Sequence, residues 1–116
     1  MLRKPKGRVR NVSSKADRTY NGRVYHSKAE AKYAFELDYQ VKQGKILCWI
    51  PQPGFLIKWP TNGKPICHVI LDFEIRDLGG FPRYVEIKGW ETPEWKLKKK
   101  LLLACYPDLK LEIIRA

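Results

Sequence analysis

Residues 68–88 read His-Val-Ile-Leu-Asp-Phe-Glu-Ile-Arg-Asp (68–77), Leu-Gly-Gly-Phe-Pro (78–82) and Arg-Tyr-Val-Glu-Ile-Lys (83–88). Both flanking runs alternate. In the first, Val69, Leu71, Phe73 and Ile75 point one way and His68, Ile70, Asp72 and Glu74 the other. In the second, Val85 and Ile87 share one face, and Tyr84, Glu86 and Lys88 share the opposite one. With Leu78-Gly79-Gly80 between them, the two runs form a β-hairpin. A turn centred on Gly79 sets Asp72 directly opposite Glu86, with Cβ atoms about 5 Å apart. Two carboxylates facing each other across a sheet repel, and a divalent cation removes the conflict. Lys88 lies two residues beyond Glu86 and shares its face. Read without a cation, the same pattern is a solvated polar face with an ordinary salt bridge.

Outward from the hairpin, a helix is expected over 28–43, with Ser27 as N-cap and Gly44 as its stop. Ser27-Lys28-Ala29-Glu30 fits a capping box in which Glu30 reaches back to the Ser27 N–H. At about 100° per residue, Ala34, Leu37 and Val41 fall within about 40° of Glu30 around the helix. Glu30 therefore heads the stripe that packs on the sheet, where a carboxylate needs a partner. Glu36 and Asp38 point away as surface acids. Strands are expected over 46–50 and 54–59, separated by Pro51-Gln52-Pro53, with a turn at 60–63. Thr92 caps a second helix, Pro93 suits its first turn, and Leu97, Leu101 and Cys105 mark its apolar stripe. Pro107 ends it, and 109–114 makes a last strand. The order is α, several strands, α, β: an α/β domain around one central mixed β-sheet flanked by helices.

The chain has 116 residues, enough for one compact domain. No stretch approaches the roughly 18–20 consecutive apolar residues that cross a bilayer, and the N-terminus has no apolar signal region. No membrane association and a cytoplasmic location, in a bacterial or phage-infected cell, are expected. Cys48, Cys67 and Cys105 have no zinc-finger spacing. They read as buried or half-buried free thiols, against the alternative of Cys67-His68 as half a metal site.

Lys and Arg total 23 against 12 Asp and Glu, a formal charge of +11. Residues 1–23 carry eight basic side chains, including Arg3, Lys4, Lys6, Arg8 and Arg10, against the single acid Asp17. A basic arm over 1–23 joined to a domain over 24–116 suits a nucleic-acid partner, through phosphate contacts and counterion release; the bland reading is a solvated tail. Lys96, Lys98, Lys99 and Lys100 are either phosphate contacts or a solvated helix face. Trp90 and Trp95 are read as core packing before base stacking.

Together, Glu30 in Ser-Lys-Ala-Glu, Asp72 in Val-Ile-Leu-Asp-Phe and Glu86-Ile87-Lys88 in Tyr-Val-Glu-Ile-Lys-Gly resemble the PD-(D/E)XK nuclease superfamily. The resemblance spans roughly Ser27 to Tyr106. Its scale is similar to Holliday-junction resolvases and to small phage-encoded members. TnsA-like transposase nucleases share the Ser-x-x-Glu helix start and a Gln-Pro pair, here Gln52-Pro53. One departure is that Leu71, not proline, precedes Asp72.

The resemblance implies a single restriction-endonuclease-like domain and a Mg²⁺-dependent endonuclease, with Mn²⁺ as substitute. It implies metal ligation by Asp72, Glu86 and the Ile87 carbonyl, and a role for Glu30 at a second metal or a metal-bound water. Lys88 would orient the attacking water or stabilise developing charge. Gln52 either lines the site or stabilises its turn. Branched DNA cut by a homodimer is the expected substrate, because no spare domain remains to read a long base sequence. A restriction-like or TnsA-like cutter and a non-catalytic basic nucleic-acid-binding module are the alternatives. Nothing reads a 2′-hydroxyl, so DNA and RNA are not separated by sequence.

Overall fold

The computed structural model describes residues 14–116. Arg3, Lys4, Lys6, Arg8 and Arg10 therefore lie outside the described residues. Among the described residues, eight strands and two helices follow in order: β1 (Thr19–Tyr20), β2 (Arg23–Val24), α1 (Lys28–Lys42), β3 (Ile46–Pro51), β4 (Gly54–Lys58), β5 (Pro65–Ile70), β6 (Phe73–Asp77), β7 (Pro82–Lys88), α2 (Pro93–Cys105) and β8 (Leu111–Arg115). The class is mixed α/β. No described helix is long and apolar enough to cross a membrane.

The expected single sheet is in fact three. Four strands form the main one in the order β3-β6-β7-β8, while β1-β2 and β4-β5 are separate two-stranded sheets. Within the main sheet β3, β6 and β7 are antiparallel, and β8 runs parallel to β7 after a crossover through α2. The β6–β7 register pairs Phe73 with Val85 and Glu74 with Tyr84, which continues to Asp72 opposite Glu86 as the alternation requires. Gly80 carries the turn at φ 92°, a conformation that side chains with a Cβ resist.

The run 68–77 is not one strand. It breaks at Leu71-Asp72, where the chain leaves the β4–β5 hairpin and enters the main sheet. Two hydrogen bonds pin the break to the β3–β4 connection: Gln52 N–H to the Asp72 carbonyl at 2.9 Å, and Leu71 N–H to the Pro53 carbonyl at 2.9 Å. The alternating apolar residues are consequently shared between two cores. Phe73 and Ile75 join Tyr25, Ala31, Ala34, Leu37, Ile46 and Val85 beneath α1. Val69 and Leu71 join Ile57, Trp95 and Leu102 on the other side, against α2. Main-sheet residues alternate between the cores, with Ile87 and Ile114 toward α1 and Tyr84, Leu111 and Ile113 toward α2. The result is three layers: α1, the main sheet, then α2 with the β4–β5 hairpin.

Helix α1 starts and stops as its caps dictate, but its stripe is shorter than expected. Glu30, Ala31, Ala34 and Leu37 are buried, whereas Val41 is exposed. Asp38 is no simple surface acid: its carboxylate accepts from the Tyr20 hydroxyl and, at 2.8 Å, from Trp49 Nε1. The Tyr20 ring also meets Phe35 edge-on. Residues 19–23 of the expected basic arm are thus tied to α1 through Tyr20, with Asn21 and Gly22 at positive φ in the β1–β2 turn. On α2 the buried positions are Trp95 and Leu102; Leu101 and Cys105 pack at the margin, and Leu97 is exposed. Trp95 is core, as expected, but Trp90 is 73% exposed. Of the free thiols, Cys48 is exposed rather than buried.

Candidate functional site

The strand break turns the two acids from neighbours into reciprocal partners. Asp72 sits just before β6, where the ladder with β7 has stopped, so its N–H is released from strand pairing. That N–H donates to Glu86 Oε1 at 3.0 Å, while Ile87 N–H donates to Asp72 Oδ2 at 2.7 Å. Each carboxylate is thus aimed by the other residue's strand. Lys88, one strand period beyond Glu86, places Nζ 3.2 Å from Glu86 Oε2.

Glu30 arrives from the opposite layer, in the first turn of α1. The Ser27 hydroxyl accepts from Glu30 N–H at 3.1 Å and donates to Glu30 Oε2 at 3.2 Å. One half of the expected capping box forms, but in place of its reciprocal half the Glu30 carboxylate engages the Ser27 hydroxyl rather than the Ser27 N–H. His26 Nδ1 lies 4.0 Å from Glu30 Oε1. Gln52 holds a left-handed conformation, φ 54°, between β3 and β4, and its Oε1 accepts from Arg23 Nη2 at 3.2 Å. A non-glycine residue there costs about 1–2 kcal/mol, and the Gln52–Asp72 backbone bond accompanies that strain.

One cavity of about 440 Å³ collects these groups: Glu30, Gln52, Asp72, Glu86, Ile87 and Lys88 all line it, together with His26, Ile70 and Leu71. Every expected metal or catalytic position thus falls in a single hollow at the end of the β6–β7 pair. The sequence reading missed His26 and Ile70. The four-residue spacing of His26 to Glu30 was the available signal for the first. Alternation put Ile70 on the Asp72 face but gave it no role there; it is 61% exposed. A second cavity of about 270 Å³ shares Ile70, Glu86 and Lys88 and continues to Trp95 and Lys98.

The electrostatics follow from burial. Glu86 is 5% exposed, and burial, with the Asp72 charge beside it, pushes its carboxyl up to about 7 against the pull of Lys88. Burial likewise raises Asp72, restrained by the Ile87 N–H and the Lys88 charge. Glu30 is raised by burial and then by Asp72. Lys88 serves both Asp72 and Glu86, and Glu30 has only the His26 imidazole beside it, so the cluster holds protons or attracts positive charge.

The lysines of α2 separate by pairing. Lys99 bonds Glu91 at 3.0 Å and Lys98 bonds Glu94 at 3.1 Å, whereas Lys96 and Lys100 are exposed and have no ion pair among the described residues. The donor chemistry suits a hard divalent cation: two carboxylates, a neighbouring carbonyl and room for water. Among the described residues no three His, Cys, Asp or Glu side chains form a ready-made cage. Magnesium does not require one, since it keeps several waters and takes one or two carboxylates plus substrate phosphate.

No curated protein and no solved structure matches the chain. A family model described as a protein of unknown function, DUF1064, matches residues 13–116, which takes in both cores and every group of the cavity. The chain belongs to that family.

Proposed function

We propose that the protein is a metal-dependent endonuclease of the PD-(D/E)XK type that hydrolyses DNA phosphodiester bonds, with branched DNA as its preferred substrate. The observation that carries this reading is the reciprocal Asp72–Glu86 pair with Lys88 beside it, in a cavity that Glu30 enters from α1. The order α1, antiparallel β3-β6-β7, crossover α2 and parallel β8 supports a restriction-endonuclease-like arrangement with the acids at the end of the sheet.

Asp72, Glu86 and the Ile87 carbonyl would hold Mg²⁺ or Mn²⁺, and Glu30 would hold a second ion or a metal-bound water. Such an ion supplies Lewis-acid charge to the scissile phosphate and a more acidic water. The protein's own part is positional. The Asp72 carboxylate is fixed by the Ile87 N–H and that of Glu86 by the Asp72 N–H, which removes the freedom they would otherwise lose on binding. Lys88 presents an ammonium where negative charge develops on the phosphate. Exposed and unpaired among the described residues, Lys96 and Lys100 would meet phosphates away from the scissile one, with Arg3, Lys4, Lys6, Arg8 and Arg10 adding counterion release.

A second reading, a non-catalytic nucleic-acid-binding module, draws on the Lys88–Glu86 ion pair, which neutralises one acid without a metal. The deciding experiment is cleavage of a labelled four-way junction beside linear duplex and single strands of DNA and RNA. It uses Mg²⁺, Mn²⁺ or EDTA, with wild type and Lys88→Ala. Symmetric, metal-dependent and Lys88-dependent nicks in the junction are expected. Cutting of linear substrates as well would retain the nuclease and remove the junction preference. Tight binding without cutting of any substrate would replace the enzyme by the binding module.

A further inference from the structure

Lys88 is gripped from a second side. Its Nζ lies 4.7 Å from the centroid of the Trp95 ring, a cation–π contact made by a largely buried indole. The indole is itself tethered: Trp95 Nε1 donates to Glu91 Oε1 at 3.0 Å, and its backbone N–H donates to the capping Thr92 hydroxyl at 3.1 Å. Glu91 is fixed in turn by Lys99 at 3.0 Å and Arg115 at 3.6 Å. Arg115 is the β8 residue in register with Lys88, so Glu91 also draws off the like charge nearest the lysine's backbone.

We propose that Glu91 and Trp95 are positioning residues for Lys88: the carboxylate orients the indole, and the indole face sets where the ammonium stands in the cavity. This rests on the nuclease reading for its consequence in catalysis, but not for its geometry. A salt bridge alone ties a lysine loosely, because the four-carbon stem lets the ammonium circle a carboxylate. Two constraints on different sides, Glu86 Oε2 at 3.2 Å and the ring face, leave one position. The Lys88 side chain is only 28% exposed, consistent with a stem held along the core rather than waving in solvent. The ring is also insensitive to the protonation and ligand state of Glu86. It holds the ammonium when that carboxylate is engaged elsewhere.

The test joins a spectroscopic readout to kinetics on the full chain. In the wild type, the ε-methylene protons of Lys88, assigned by their absence in Lys88→Arg, should resonate upfield of the other lysines because of the ring current. Trp95→Leu should return them to the ordinary lysine position, Glu91→Ala should move them part of the way, and Trp95→Phe should keep most of the shift. On a labelled four-way junction with Mg²⁺, kcat should fall on the order of 100-fold in Trp95→Leu. It should fall by less in Glu91→Ala and be partly rescued in Trp95→Phe and Glu91→Gln, with KM little changed. A purely structural role would lower the melting temperature without this kcat pattern.

Trp95 is a core residue, so if Trp95→Leu does not fold, Glu91→Ala, which leaves the core intact, decides the matter. An ordinary Lys88 resonance in the wild type, one that stays upfield in Trp95→Leu, or one that does not move in Glu91→Ala, overturns the proposal. A shifted resonance with unchanged kcat overturns it as well. If the wild type cuts nothing, the nuclease reading fails, and the Lys88 resonance alone decides whether Glu91 and Trp95 set its position.

Discussion

Two acid clusters sit close along this chain and are built on opposite terms. Glu91 meets Lys99, Arg115 and the Trp95 N–H, and those partners hold its carboxyl below the ordinary range. Glu74 is similarly answered by Arg76 at 3.0 Å. Glu30, Asp72 and Glu86 instead share one cavity with Lys88 beside Glu86 and His26 beside Glu30, and all three carboxyls are raised, Glu86 to about 7. An acid placed for stability is given its cations; the second cluster is left short of positive charge inside a cavity. Such unsatisfied charge is conserved in a fold only at a cost in stability, which is why perturbed groups of this kind mark functional sites.

The largest expected effect breaks the short cluster at its centre. Asp72→Asn preserves an acceptor for the Ile87 N–H while removing one of the repelling charges. Cleavage should fall at least on the order of 1,000-fold, while the melting temperature rises. Loss of both activity and stability would show that the acids serve the fold rather than a site.

A smaller effect should appear in the pH dependence of stability without metal. Glu86 binds its proton more tightly folded than unfolded, where its value is near 4.5. Between that value and about 7 the folded state holds the extra proton, so stability falls as pH rises through this window, then levels off. The drop should be on the order of 2–3 kcal/mol, reduced in Glu86→Gln and offset by millimolar Mg²⁺. Urea unfolding at pH 5, 6 and 7.5 measures it, and a slope of the opposite sign would refute the assignment.

Glu91 should show the contrary trend. Its lowered carboxyl contributes stability at neutral pH that is lost only in acid, and Glu91→Gln should lower the melting temperature slightly. The smallest effect on the site itself comes from deleting residues 1–13. Junction affinity should weaken and the slope of log K against log salt should flatten by up to about 4.5, the share of five phosphate contacts. The cleavage rate at saturating DNA should be nearly unchanged.

The contrast between the clusters was only half legible in the sequence. Gly79-Gly80 fixed the hairpin turn, and strict alternation then forced Asp72, Glu86 and Lys88 together; helical phase brought Glu30 to the sheet. The break at Leu71-Asp72 was not legible, because Val69, Leu71, Phe73 and Ile75 are all buried and alternate without interruption while serving two different cores. Periodicity reports burial, not the layer a residue is buried in. Leu97 was mistaken for part of the α2 stripe because it keeps the four-residue step of Leu101 and Cys105, whereas Trp95 and Leu102 are the buried positions. Asp38 and Glu91 read as surface acids or went unremarked, since their partners Tyr20, Trp49, Lys99 and Arg115 come together only in three dimensions.

The bonds Gln52 N–H to Asp72 carbonyl and Leu71 N–H to Pro53 carbonyl close the neck of a loop-like excursion that contains the β4–β5 hairpin. Seen as a matter of descent rather than of chemistry, this makes residues 54–70 an exchangeable cassette. A lineage can lengthen, shorten or replace the hairpin, and with it the Ile70 wall of the cavity, while the neck keeps Asp72 opposite Glu86. The exchange has one entry condition. Ile57 and Val69 cover Trp95 and Leu102 from this hairpin, and Phe55 meets Tyr84 and Tyr106, so any successor must bring apolar side chains of its own to roof α2. Relatives should therefore diverge most in the outward residues of this segment and least in the pair that faces the helix.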